Sequence, residues 1–390
     1  MAKKRHRLQR VRKSTGLSQE DVAHRLGVET STVWRWEAGE TEPSAWQQPR
    51  LAKLLGVCRA ELVTLLTEVA IETDQEELPA AVRSVPGKKR ADLAIVEALA
   101  AQLRELGEQY EGVQSTSLLA PASRCHALVT NFLAHGASSR VTDDLHRLAT
   151  ESATLMSQLV WDASQRRDAT GTLAYCDEAR HHASEVGDHV AAAKADLRKA
   201  YVSLYGEPEL RNPRPGLALA QQAAEQSKPA SQALYGVSLL HVGEAFGMLG
   251  EYRQCERALS DAETAFSSIS DDAPAADWFS ETQFGRLAGS CYLSLGSAER
   301  AESYLTQTAE RLQDRPKSRS LVLGNLALAY LRQRELDAAT ATLHNAIDLL
   351  GQSRGAGGMT VVFGAARELY PWREESAVQD VQDRLLALMS

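Results

Sequence analysis

Long apolar runs are missing from this 390-residue sequence. A membrane-spanning helix needs about 18 or more consecutive apolar residues, and the longest candidate, Ala91 to Leu103, is broken by Asp92 and Glu97. The amino terminus is basic, but no apolar signal core follows it. Neither a membrane span nor an export signal is therefore predicted, and a cytoplasmic location is expected. Cysteine is sparse: Cys58, Cys125, Cys176, Cys255 and Cys291 are odd in number, scattered, and form no CxxC pair. That pattern argues against a disulfide framework and against a zinc ribbon. Aromatics make up only 6%, and Ala and Leu fill most apolar positions, a balance that favours packed helices over β-sandwiches.

Catalytic signatures are missing too. The sequence has no GxxxxGK[ST] loop, no GxSxG elbow and no HExxH helix, so no enzyme, metal or cofactor is implied. Gly351–Gly358 is glycine-rich but follows no strand, and it reads as a loop before the last helices. His181-His182 and His241…Glu244 have metal-ligand spacing only loosely and read as surface polar residues.

Charge is present and unevenly spread. The net charge is −8, yet residues 1–67 hold 12 Lys+Arg against 7 Asp+Glu, whereas the remaining 323 hold 31 against 44. Lys3, Lys4, Arg5, Arg7, Arg10, Arg12 and Lys13 follow one another without an acid between them. A basic head on an acidic body suggests that the head faces nucleic acid.

The first 67 residues divide into five helical segments: 6–14, 19–26, 30–37, 46–55 and 59–66. Ser18 with Asp21 three residues on marks a helix start, and Gly27, Gly39 and Gly56 mark helix ends. Two helices of about eight residues joined by a Gly-containing turn form a helix-turn-helix signature. Leu17, Val22, Ala23, Leu26, Val28 and Val33 fall at helical spacing, as do Trp36, Leu51, Leu54, Leu55, Val57 and Leu62, and together they predict one small core.

The run LSQEDVAHRLGVETSTVWRWEAGETEP resembles Xre/Cro-type helix-turn-helix domains over about residues 7–67, with Leu17-Ser18-Gln19, Ala23, Leu26-Gly27-Val28, Val33, Trp36-Glu37 and Gly39 at the family's spacing. The resemblance implies that Gln19 bonds a phosphate, that Thr30, Ser31 and Arg35 reach base edges, and that Trp34 looks outward beside them to pack on a thymine methyl or the sugar backbone. It also implies a structural salt bridge between Arg12 and Glu37. The basic arm, with Lys4, Arg5 and Arg7, would follow the DNA backbone. Glu40-Thr41-Glu42 is acidic where relatives often place basic phosphate contacts.

Residues 68–90 carry acids, then Pro79 and Pro86-Gly87, then a basic triplet, and read as a linker. Helical periodicity resumes from Ala91 to Tyr110, and a helical domain is expected over 91–390. Three stretches within it align: Gly243, Phe246, Gly250, Cys255; Gly289, Tyr292, Gly296, Ala301; and Ala327, Tyr330, Arg334, Ala339. A small residue, an aromatic three on, a turn four further and a small residue five beyond form a degenerate tetratricopeptide pattern. The Gly243→Gly289→Ala327 steps are 46 and 38 residues, which implies longer helices or inserted loops such as 270–276, and a weaker copy runs through Ala195–Gly206 into Leu217–Ala224 with 208–215 inserted. A final helix near Ala377–Met389 would cap the array or pair with its copy.

The fold expected is therefore all-α, a five-helix head followed by a helical-repeat array. This layout resembles the RRNPP regulators, and more closely their actinobacterial relatives with a loose repeat domain. The resemblance implies a sequence-specific regulator that binds double-stranded DNA, dimerises, and senses a peptide, small molecule or protein through its repeats. Stacked helix pairs present a concave inner surface, and the alignment nominates Asp196, Glu244, Gln283, Arg286, Leu328 and Arg332 on it. The alternative is a protein-interaction adaptor whose head only tethers or no longer binds DNA, a reading that the acidic Glu40/Glu42 loop keeps open.

Overall fold

A computed structural model describes residues 6–15, 17–43, 47–57, 62, 65–66, 91–135, 141–206, 211–269 and 280–389. The regular elements among them are all helical. The chain splits into two compact units, Met1–Gly87 and Lys88–Ser390; the segment expected as a linker, 68–90, lies outside the described residues.

The first unit opens with α1 (His6–Ser14), α2 (Gln19–Leu26), α3 (Thr30–Ala38) and α4 (Gln48–Leu55). Ser18 starts α2 by a reciprocal cap: its Oγ accepts the Asp21 N–H at 3.0 Å and its own N–H donates to Asp21 Oδ2 at 2.8 Å. Those hydrogen bonds raise the acidity of Asp21, whose pKa lies below the usual carboxylate value. The turn into α3 requires a left-handed residue, and Gly27 supplies it at φ +68° without the steric cost of a Cβ. The fourth helix begins two residues later than its apolar pattern predicts, with Pro49 in its first turn, a position where the missing N–H costs nothing. Of the expected fifth helix only Leu62, Leu65 and Leu66 are described, and they are buried in the same core as Leu8, Val22, Leu26, Val33, Trp36 and Leu55.

The second unit opens with α5 (Leu93–Gln109) and α6 (Ser115–His135). Helix pairs follow: α7 (Thr142–Ala163) with α8 (Ala169–Glu185), and α9 (His189–Tyr205) with α10 (Pro213–Ser227). Three further pairs are α11 (Gln232–Met248) with α12 (Tyr252–Ser267), α13 (Glu281–Ser294) with α14 (Ala298–Arg311), and α15 (Pro316–Arg332) with α16 (Leu336–Ser353). Then come α17 (Ala356–Glu368), a 3-10 turn at Tyr370–Trp372, and α18 (Ser376–Met389). Side chains of the repeat pairs join one continuous core running from Ala193 to Leu385.

The repeat pattern has a backbone counterpart. The three last pairs turn at Gly250, Gly296 and Arg334, all left-handed at φ +76°, +77° and +65°. In each turn the following N–H, from Glu251, Ser297 or Glu335, donates to the carbonyl of Phe246, Tyr292 or Tyr330 at 2.8–2.9 Å. The aromatic of each repeat is thus the residue whose carbonyl closes the turn. Five residues on, Cys255, Ala301 and Ala339 are fully buried, where only small side chains let the second helix approach. Gly289 is small for a similar reason, since a Cβ there would lie 2.5 Å from Leu305 Cγ.

Two expectations fail in the body. The glycine-rich 351–358 stretch is not a loop: α16 runs through Gly351 and α17 already contains Gly357 and Gly358. Those glycines serve close packing, because a Cβ on Gly358 would meet Ser320 Oγ at 2.2 Å. Likewise, α10 starts at Pro213 rather than near Leu217, since proline is well placed in a first helical turn.

The array also touches itself across a long loop of chain, with α17 packed on α7. Asp162, buried at the end of α7, accepts from Ser115 Oγ at 2.6 Å, from Lys317 Nζ at 3.1 Å and from the Ala356 N–H at 2.6 Å. Lys317 Nζ also donates to Ser115 Oγ at 2.8 Å and sits 4.0 Å from the Tyr110 ring centroid. Burial lowers the Lys317 pKa, opposed by the Asp162 charge. Alongside, the Glu111 carboxylate accepts the Ser318 N–H at 3.1 Å and its Oγ at 2.7 Å. These contacts clasp α5–α7 to α15 and α17.

Candidate functional site

One face of α3 is free of the core. Thr30, Ser31 and Arg35 are exposed and Trp34 is 47% exposed; spaced at i, i+1, i+4 and i+5, they share a face. Glu29, the N-cap, makes no side-chain bond to the first turn. The opposite face is fixed by Val33 and Trp36 in the core and by Glu37, whose carboxylate is buried. Arg12 Nε donates to Glu37 Oε1 at 2.5 Å, Arg12 Nη2 to Oε2 at 3.2 Å, and Arg12 Nη1 to the Leu17 carbonyl at 2.6 Å. The pair ties α1 to α3, and removing either partner of such a buried pair costs about 3–5 kcal/mol by stranding the other charge.

Gln19 lies at the start of α2, but its Nε2 donates to Glu37 Oε2 at 2.6 Å. That bond uses one of the two N–H donors of the amide. Lys4 and Arg5 of the basic arm lie outside the described residues, and Arg7 sits in α1 with its side chain outside them. Glu40, Thr41 and Glu42 are exposed after α3.

The six groove residues nominated by the repeat alignment separate. Glu244, Arg286, Leu328 and Arg332 line one cavity of about 500 Å³ between α11, α13, α15 and α17, whereas Asp196 and Gln283 do not. Asp196 is buried and ion-paired with Arg180 at 2.9 Å and Lys199 at 3.2 Å, a bond between neighbouring helices α8 and α9. Gln283 lies in the first turn of α13, where its backbone N–H donates to Ser280 Oγ at 3.2 Å.

The cavity's floor is a buried polar chain. Glu244 accepts from Ser290 Oγ at 2.6 Å and from Tyr205 Oη, and Tyr205 Oη meets His241 Nδ1 at 2.5 Å. His241 and Glu244 are not surface groups, contrary to the sequence reading: they are 1% and 3% exposed. Helical spacing put them on one face but could not say that α9 and α13 would cover that face. Burial, reinforced by the Arg286 charge, pushes the His241 pKa well below its ordinary value. Burial and the Glu244 charge push Tyr205 well up.

Sequence reasoning missed Arg166 and Arg367, which also line the cavity. Arg166 follows α7 with a left-handed backbone at φ +64°, directly after Gln165 at φ +53°, where no glycine signals such a turn. Arg367 lies on α17, whose opening residues read as loop.

A second polar cluster joins α6, α7 and α8. His126 Nε2 lies 3.3 Å and His182 Nε2 3.8 Å from Glu178 Oε1, and His146 Nδ1 meets His182 Nδ1 at 3.0 Å. Burial would raise the Glu178 pKa, but the two imidazoles outweigh it and hold the carboxyl at about 2. His181 is exposed, while His182 is mostly covered. Among the described residues no three His, Cys, Asp or Glu are arranged to hold a metal ion, and no helix is long and apolar enough to cross a membrane.

A family model described as a helix-turn-helix domain matches residues 5–65. No curated protein matches the sequence. Among solved structures, NprR in complex with its cognate peptide NprX shares 13% identity over 84% of this chain and 86% of that one, with a TM-score of 0.48. The apo form of the quorum sensor NprR from B. thuringiensis shares 14% identity over 85% of this chain and 96% of that one, with a TM-score of 0.41. The chain carries an amino-terminal helix-turn-helix domain followed by a helical-repeat region.

Proposed function

We propose that the protein is a sequence-specific transcriptional regulator that binds double-stranded DNA as a homodimer and senses an effector through its repeat body. The observation that carries this reading is α3, with Thr30, Ser31, Trp34 and Arg35 turned outward from a helix locked behind by the Arg12–Glu37 pair. Arg35 suits the O6/N7 edge of guanine, a contact worth roughly 1–3 kcal/mol of base discrimination. Gln19, at the start of α2, would meet a phosphate with its second amide N–H and its backbone N–H. Two heads held by a dimeric body would read half-sites separated by multiples of about 10 bp. Leu386 and Met389, each 61% exposed on α18, offer apolar surface for that dimer. An effector that binds one conformation of the body more tightly would shift the spacing of the heads and with it the affinity for DNA.

The test is selection of genomic fragments by the purified protein at physiological salt, run beside Arg35→Ala. We expect one motif with two-fold symmetry, with base preference at one position relaxed in the variant. Unchanged affinity and unchanged preference in Arg35→Ala would reject this docking. The exposed acids Glu40 and Glu42 favour a second reading, a protein-interaction adaptor; a co-purifying protein partner without any DNA enrichment would establish it.

A further inference from the structure

The cavity of the repeat body carries positive charge that its own acids do not balance. Its described lining includes five arginines and two carboxylates. Both carboxylates are engaged. Glu244 is closed off by Tyr205 and Ser290, and Glu368 lies 3.8 Å from Arg332 Nη2. Among the described residues Arg166, Arg286 and Arg367 make no salt bridge, and of the three Arg166 feels a nearby acid, Asp162, which Lys317 already pairs. Like charges gathered in a concave, partly dry site repel one another, and nothing in helix packing requires them there.

Arg166 shows that the site is built. Two successive residues with side chains, Gln165 and Arg166, adopt left-handed backbone to deliver it, a conformation that proteins keep where the surroundings enforce it. Its Nη1 donates to the Tyr205 carbonyl at 3.2 Å. Gly357 leaves room for the other end, because a Cβ there would lie 2.5 Å from Arg166 Nη2. A side chain at Gly357 would make the guanidinium shift from its place beside the cavity. Met248, Leu293 and Val361 supply an apolar wall.

We propose that this pocket binds a compact organic dianion, a phosphate monoester or a paired carboxylate with a small apolar portion, and that this ligand is the effector. The inference rests on the reading above that the body senses an effector. The cavity of about 500 Å³ is in the range that encloses small molecules. Planar guanidinium forks match phosphate and carboxylate oxygens two at a time, and the apolar wall would take the remainder of the molecule.

Titration calorimetry and thermal unfolding of the full chain, with inorganic phosphate, adenosine 5′-monophosphate, citrate and uncharged adenosine as probes, test it. We expect one-to-one binding of at least one of the three anions and none of adenosine, with a raised melting temperature. Phosphate alone, the nucleotide alone or citrate alone would each identify the source of the dianion. Arg286→Ala and Arg367→Ala should each weaken binding about tenfold, Arg286→Lys should restore part of it, and Arg253→Ala on the exposed side of α12 should leave it unchanged. Circular dichroism confirms that each variant is folded. Failure of all three anions to bind at millimolar concentration, equal binding of adenosine, or full affinity in folded Arg286→Ala would overturn the proposal. DNA enrichment without anion binding rejects only this inference; anion binding without DNA enrichment rejects the regulator reading and leaves the pocket standing.

Discussion

Glu37 and Glu244 are both carboxylates inside helical cores, and they are accommodated by different chemistry. Glu37 meets a guanidinium and an amide, so its charge is compensated in place. Glu244 meets two hydroxyls instead, on the floor of an arginine-rich cavity. Tyr205 has a single proton to give, and giving it to Glu244 makes His241 Nδ1 the donor to Tyr205 Oη. His241 is then neutral with its proton on Nδ1, in agreement with a buried Nε2 that has no hydrogen-bond partner. A histidine whose native pKa is depressed contributes stability that is complete above the unfolded value of about 6.5 and is lost as pH falls below it, because only the unfolded chain takes up the proton. Urea unfolding should therefore show a loss of about 1 kcal/mol from this residue between roughly pH 7.5 and 5.5. The difference should vanish in His241→Asn, which keeps a donor near the Nδ1 position; an unchanged pH slope in that variant would contradict the assignment.

At the scale of elements, the turns of the repeats are the most regular feature of the body, and one of them is imperfect. Gly250 and Gly296 fill the left-handed position in two turns, while Arg334 fills it in the third. A residue with a Cβ pays roughly 1–2 kcal/mol there, and glycine returns part of it through greater freedom in the unfolded chain. Arg334→Gly should raise stability by about 0.5–1 kcal/mol, readable as a higher urea midpoint with an unchanged slope. The same turns explain what the sequence could reveal. The small–aromatic–turn–small spacing was legible because each position does one backbone or packing task, and in the head the Ser18 cap, Gly27 and the apolar spacing serve equally local ends. The start of α17 was not legible, since its glycines answer to Arg166 and Ser320 from other helices rather than to their own chain. Arg166 and the burial of His241 escaped for that same reason: both depend on which distant helices cover them. Glu244, Arg286, Leu328 and Arg332 emerged from the alignment because the repeat places equivalent residues on one inner surface, whereas Asp196 left that surface for a local ion pair.

Across the whole repeat body, the clasp at Asp162 joins helices separated by some two hundred positions in sequence. Lys317→Met leaves the Asp162 carboxylate buried without its cation and should cost about 3–5 kcal/mol. Adding Asp162→Asn removes the stranded charge while keeping an acceptor for the Ala356 N–H, so the double variant should be more stable than Lys317→Met alone. A double-mutant cycle by urea unfolding measures this coupling; strict additivity of the two substitutions would show that the pair is not coupled in the native state.

The clasp also bears on how the protein is made. An ordinary repeat array can consolidate pair by pair as it leaves the ribosome, because each pair needs only its neighbour. Here Asp162 is synthesised long before Lys317 and Ala356, the groups that receive its charge and its lone pair. Until those later helices emerge, α7 carries an acid that cannot be buried, and its seam stays hydrated. Closure of the α7 seam therefore waits on the last third of the body, and a chain ending before α17 would lack the Ala356 N–H that Asp162 accepts from.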